Sequence, residues 1–268
     1  MEVVKIIKKK VEKTVHTIIT DEDEKSALNK VAPKALGVLD MVIAFDTTGS
    51  MAAYIEAVRK EVAELVPRLF KDNENLRLGI VAFGDYCDMN NATDFGKAYQ
   101  CLMPTDNEND IIRFISESQN TSGGDGDEFY ELVLKKIIDE TPWRPEATKA
   151  VLLIADANPH PLGYSFKDYV VGNQIDWRME AKKAAEQMIK IDTVTITDAR
   201  WYKELSDMTN GISVPFMTGS KTAKLVEAAT MSRGSMASRK KFDEMSAACV
   251  DPEMAGVFRS YRKEREDL

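Results

Sequence analysis

The stretch MVIAFDTTGSMAAYI, Met41 to Ile55, begins as an apolar run and ends in a helical pattern. At the joint stand Asp46, Thr48 and Ser50, one carboxylate and two hydroxyls at alternate positions. The run LDMVIAF (39–45) reads as a buried strand. Residues 50–70 put Ile55, Val58, Val62, Leu65 and Leu69 on one face of an amphipathic helix. A buried strand that feeds a helix is the repeating unit of a parallel sheet covered on its faces.

The same alternation continues outward. Strands are predicted at 76–83, around 96–102, at 149–156, at 191–197 and in GISVPF (211–216), with helices over 109–118, 127–141, 176–190, 201–209 and 221–231. The fold predicted is α/β: a doubly wound, Rossmann-like, mostly parallel six-stranded sheet with helices on both faces. It occupies residues 37–231. Residues 1–36 form an N-terminal extension with a lysine-bearing helical pattern, where Thr20 or Asp21 would cap a helix. Residues 232–268 form a C-terminal helical tail. Each extension is a helical appendage without chemistry of its own, packed on the sheet or held out as a docking arm.

The chain has 268 residues, 44% of them apolar, enough for a sizeable core. No apolar run is long enough for a secretory leader or a membrane span. Cys87, Cys101 and Cys249 are odd in number and far apart, which suits free thiols in a reducing compartment, so a cytoplasmic address is expected. Five Lys or Arg against two Asp or Glu make residues 1–20 basic, and the C-terminal 50 residues are weakly basic too. With a net charge of -8 for the whole chain, residues 21–218 therefore carry -13. An acidic body argues against a nucleic-acid groove there and suits cation binding, or serves solubility alone.

Ligands of open parallel sheets bind outside the carboxyl ends of the strands, which is where Asp46 falls. Alternate residues of an extended chain share a side, so Asp46, Thr48 and Ser50 make a small all-oxygen surface. Hard cations such as Mg2+ take such ligands while keeping several waters. The plain alternative for Thr48 and Ser50 is capping of the helix that follows.

DTTGS, with its context, resembles the metal-ion-dependent adhesion site of von Willebrand factor type A domains, whose first motif is D-x-S-x-S or D-x-T-x-S. Those domains add a second loop before a helix and an Asp at the end of a buried strand. NTSGGDGDEFYE (120–131) and AVLLIADANPH (150–160) stand in that order here. The sequence looks most like the intracellular branch attached to some alpha-type kinases, through Gly123, Gly124, Asp125 and Glu128, then Asp156, Pro159 and His160, then Gly84 to Asp88. Asp127 stands where that branch usually has Pro, which leaves the shape of the second loop open. No kinase catalytic segment follows.

The resemblance implies a site for Mg2+, or Mn2+ or Ca2+. Thr48 and Ser50 would bind directly, and Asp46 and Asp156 mainly through water. Asp125 or Glu128, with Thr121 as the outsider, would serve as the second-loop ligand. A position left open would take an Asp or Glu from a protein partner, possession of which would make the chain an adaptor or assembly subunit and not an enzyme. A coupled shift of the last helix (217–231) is a further implication of the family. The plain alternatives are acidic dressing of a helix start for Asp125 and Glu128, and a turn for Asp156. His160 is read as loop-shaping, since an oxygen site has no need of imidazole. Asp85 and Asp88 line the rim or a solvated turn, and Trp177 and Trp201 belong to the core.

Two other functions compete. DTTGS also resembles the phosphorylated DKTGT of P-type pumps, which makes Asp46 the nucleophile of a Mg2+-dependent phosphohydrolase. Thr47 in place of Lys, the absence of spans and the lack of paired acids near IADANPH count against it. An RNA-particle protein is supported only by SRKKF (238–242) and the N-terminal lysines.

Overall fold

Strand β1 (Leu39–Asp46) is buried at every position and lies inside a six-stranded sheet. The computed structural model describes residues 37–170, 174–218 and 220–266, so the reading of residues 1–36 falls outside the described residues. The other strands in chain order are β2 (Leu76–Phe83), β3 (Tyr99–Thr105), β4 (Asp127–Glu128), β5 (Thr148–Ala155), β6 (Asn158–Pro159), β7 (Ile189–Thr195) and β8 (Ser213–Pro215). The helices are α1 (Ala52–Asp72), α2 (Glu108–Glu117), α3 (Tyr130–Glu140), α4 (Trp177–Glu186), α5 (Arg200–Met208), α6 (Lys221–Arg233), α7 (Met236–Ala248) and α8 (Pro252–Glu266).

The sheet runs β3-β2-β1-β5-β7-β8, parallel throughout except for β3, which is antiparallel to β2. Ile43 of β1 sits between Ile80 and Leu152. The strand order reverses between β1 and β5, so the crevice beyond their carboxyl ends is the topological switch point. Asp46 ends β1 and Asp156 directly follows β5. The doubly wound fold expected from the sequence is the fold observed.

Two cores result from the alternation of β1. Leu39, Met41, Ile43 and Phe45 face α1, α2 and α6, whereas Val42 and Ala44 face α3, α4 and α5. Trp177 and Trp201 are buried in the second core. Every residue of α6 from Leu225 to Arg233 is buried. Its outer side is covered by α7 and α8, whose Phe242, Met254, Val257, Phe258 and Tyr261 join the first core. Arg233 at its end donates to Asp192 Oδ1 at 2.8 Å and to Glu264 Oε2 at 2.9 Å, and the Tyr261 hydroxyl donates to Asp192 Oδ2 at 2.8 Å.

Several boundaries differ from the expectation. The helix predicted from residue 127 starts at Tyr130, because Asp127 and Glu128 form β4 and pair in parallel with Asn158 and Pro159 of β6. The strand expected at 96–102 starts at Tyr99, after a 3-10 turn over Gly96–Ala98. The helix over 176–190 stops at Glu186; Met188, at φ 57°, turns the chain into β7. Among the described residues no helix is long and apolar enough to cross a membrane.

Candidate metal centre

The chain leaves β1 with Asp46 fully buried. Its Oδ1 accepts from the Thr48 backbone N–H and from the Thr48 hydroxyl, each at 2.7 Å, and its Oδ2 accepts from the Tyr130 hydroxyl at 2.5 Å. Thr48 Oγ1 lies 3.2 Å from Ser50 Oγ, and Ser50 Oγ donates to Asp156 Oδ1 at 3.2 Å. Four residues from two strand ends, 106 positions apart at Ser50 and Asp156, thus form one bonded run. Ser50 is at the surface end of it, and Thr48 is buried. The capping alternative is not what the structure displays: Thr48 makes no side-chain cap bond to the 3-10 turn, the residue before α1 is Met51, and the Ser50 hydroxyl bonds to Thr48 and Asp156 instead.

The second loop is stitched to this run through its backbone. Thr121 N–H donates to Thr47 O at 3.0 Å, their hydroxyls lie 3.0 Å apart, and Gly49 N–H donates to Ser122 O at 3.2 Å. From the other side, Asp88 accepts from Ser122 N–H at 2.8 Å and from Gly123 N–H at 3.1 Å. Gly123 has φ +66° and passes between two side chains: a Cβ there would stand 2.7 Å from Glu128 Oε1 and 3.3 Å from Thr48 Cβ.

Of the second-loop candidates, Glu128 therefore lies across Gly123 from Thr48. It is 3% exposed, and its Oε2 has no hydrogen-bond partner. Its place on β4 removes the reading of Glu128 as dressing for a helix start. Asp125 is exposed, is not bonded into the run, and accepts from Asp127 N–H at 3.0 Å. The Thr121 hydroxyl is engaged by Thr47.

Burial pushes Asp46 up to about 6 against the lowering donors Tyr130 and Thr48. Burial, followed by the charges of Asp46 and Asp85, pushes Glu128 up to about 9. Burial also raises Asp156. Among the described residues no Lys or Arg is one of the leading influences on these three carboxylates. Such a nest favours protons or an external cation. Among the described residues no group of three or more His, Cys, Asp or Glu could by itself hold a metal ion. The donors assembled here are instead two hydroxyls and carboxylates, and Glu128 adds a buried carboxylate oxygen without a hydrogen-bond partner. That donor set fits a hard ion such as Mg2+.

Two contributors escape the sequence as site residues: Tyr130 and Thr47 carry no motif signal, since their bonds cross 84 and 74 positions. Asp88 and Asp85 are expected on the rim or in a solvated turn. Both are buried, at 8% and 0% exposure, which corrects the solvated turn.

The von Willebrand factor type A domain family model matches residues 40–229. The chain belongs to this family. It is 30% identical over 148 residues to the alpha-protein kinase vwkA of Dictyostelium discoideum, covering 54% of this chain and 23% of the kinase. It is 25% identical over 123 residues to a putative ariadne-like RING finger protein of Acanthamoeba polyphaga mimivirus, covering 46% of this chain and 11% of that protein. The matches thus span less than a quarter of either relative. Among solved structures, the pilus adhesin SpaC of Lactobacillus rhamnosus GG in its open conformation aligns with TM-score 0.54 at 11% identity, over 73% of this chain and 30% of the adhesin. Proximal thread matrix protein 1 of the mussel byssus aligns with TM-score 0.53 at 15% identity, over 74% and 48%. At such identities the two structures establish the fold alone.

Proposed function

We propose that this von Willebrand factor type A domain is a protein-binding module whose contact is made through a divalent cation, Mg2+ or else Mn2+ or Ca2+. The observation that carries the reading is the bonded run Asp46-Thr48-Ser50-Asp156 at the switch point of the sheet, buried at one end and open to solvent at Ser50. Thr48 and Ser50 would hold the ion through their hydroxyls. Asp46, Asp156 and Glu128 would supply charge, and Asp125 would stand at the rim. A bound ion supplies an electrophilic centre for a carboxylate. Where few protein carboxylates bind directly, the ion keeps a position for a partner's Asp or Glu.

On this reading the chain is an adaptor or assembly subunit without turnover of its own. The phosphohydrolase alternative needs a free Asp46 nucleophile, whereas both oxygens of Asp46 accept short bonds in a buried place. The C-terminal support for the RNA alternative is thin: Lys241 is paired with Asp72, and Lys240 lies 3.9 Å from Glu244 on a solvated helix face. The free thiols of Cys87, Cys101 and Cys249 support the cytoplasm as the place of action.

The test is capture from the native source by the full chain in Mg2+, then in EDTA, with Asp46→Ala as control. Partners retained in Mg2+ and lost in both other conditions are expected. Retention that survives chelation and the substitution would overturn the reading.

A further inference from the structure

His160 ties together the segments that carry the proposed metal ligands. Its Nε2 lies 2.7 Å from Asp85 Oδ1, its backbone N–H donates to Glu131 Oε2 at 3.2 Å, and its ring stacks on Tyr164 with centroids 3.6 Å apart. The other oxygen of Glu131 accepts from the Tyr86 hydroxyl at 2.8 Å. Asp85, Glu131 and His160 are all buried.

These partners sit next to ligands in the chain. His160 follows Asp156 by four residues, and Glu131 follows Glu128 by three. The β4-β6 pairing sets Glu128 opposite Pro159, the residue before His160. Asp85 lies three residues before Asp88, which holds the backbone of Ser122 and Gly123. The His160-Asp85 bond therefore closes a circuit through the second loop, the third loop and the segment 84–88.

We propose that His160 is a positioning residue for the metal centre: through its bonds to Asp85 and Glu131 it fixes the third loop against the second. The inference rests on the metal reading above. An aromatic ring of similar size would keep the stack on Tyr164 but leave Asp85 buried without its donor. A buried carboxylate deprived of its partner reorganises its surroundings to find another or to reach water. Asp85 Oδ2 already has no partner, so Asp85 has no second bond to fall back on. Burial opposes the charged form of His160, but the hydrogen bond and charge of Asp85 outweigh it and raise the pKa, which favours the cation as donor. Residues that orient ligands from behind typically account for about 10- to 100-fold in metal affinity.

The experiment is a Mn2+ titration of the chelator-stripped full chain, followed by the spectrum of the free ion. His160→Phe is expected to weaken Mn2+ by about ten-fold or more. His160→Gln keeps an N–H for Asp85 and should return to within about three-fold of the wild type. Asp85→Leu, which removes the acceptor at similar volume, should weaken binding as His160→Phe does, and the double variant should be no weaker than the worse single one. Leu205→Ala, in the same core but outside the circuit, controls for lost stability and should lower Tm without changing affinity. If the Phe variant does not fold, Asp85→Leu, which removes the acceptor at similar volume, carries the same expectation. Equal affinity in His160→Phe and the wild type, or in the Phe and Gln variants, would reduce His160 to a space-filler. A wild-type chain that takes up no Mn2+ would overturn the metal reading itself, and this inference with it.

Discussion

Tyr130 donates its hydroxyl to Asp46 Oδ2 at 2.5 Å, so the first residue of α3 fastens the last residue of β1. Neither side chain is exposed. Tyr130→Phe would leave Oδ2 buried without this donor, at a cost of about 1–3 kcal/mol. In chelator, the urea midpoint should fall with no change in the slope of the transition. An unchanged midpoint would mean that Asp46 has no need of the phenol.

Gly84, directly after β2, holds room for the second loop. A Cβ there would stand 2.4 Å from Thr121 Oγ1 and 2.5 Å from Thr121 Cβ. Gly84→Ala should therefore destabilise by about 1–3 kcal/mol. Adding Thr121→Gly removes the three nearest atoms and should recover part of that loss in thermal unfolding. No recovery would place the strain elsewhere.

The opposite end of the sheet predicts an acid limb. Asp40 accepts from Arg77 Nε at 2.9 Å and Arg144 Nε at 2.8 Å, and also from the Arg144 backbone N–H at 2.7 Å. Burial pushes its carboxyl up, but these bonds outweigh burial and hold it below the ordinary 3.8. Its contribution to stability is thus present above about pH 4 and lost as pH falls through the depressed folded value. Asp40→Asn should lower stability at neutral pH and flatten the loss below pH 4 in urea titrations at stepped pH. A slope equal to the wild type's would refute the assignment.

Arg233, with Asp192, Glu264 and Tyr261, pins α6 and α8 to β7. Arg233→Met would strand the buried Asp192 carboxylate and cost about 3–5 kcal/mol. Arg233→Met with Asp192→Leu should cost less than the single change, as read by chemical denaturation. An additive result would contradict a shared network.

Much of this was legible in the sequence where the signal is local. Residues 41–55 announce a buried strand, a loop of alternate oxygens and a helix, because each depends on neighbours within a turn or two. The second and third loops are legible by their order. The two-residue strands Asp127–Glu128 and Asn158–Pro159 are too short to show a period, so Glu128 reads as helical when it is a buried strand residue. Likewise Asp85 and Asp88 look like turn residues, since acidic letters do not reveal that loops will close over them. The direction of β3 depends on the path of the preceding loop. By contrast Met254, Val257, Phe258 and Tyr261 mark a helical face inside the charged tail and match the buried side of α8.

If the oxygens at the ends of β1 and β5 hold one ion, calorimetric titration of the chelator-stripped chain with Mg2+ and Mn2+ should show uptake of about one ion per chain, abolished in Asp46→Ala and weakened at least about ten-fold in Ser50→Ala. No heat and no uptake with either ion, or equal uptake in all three proteins, would contradict it.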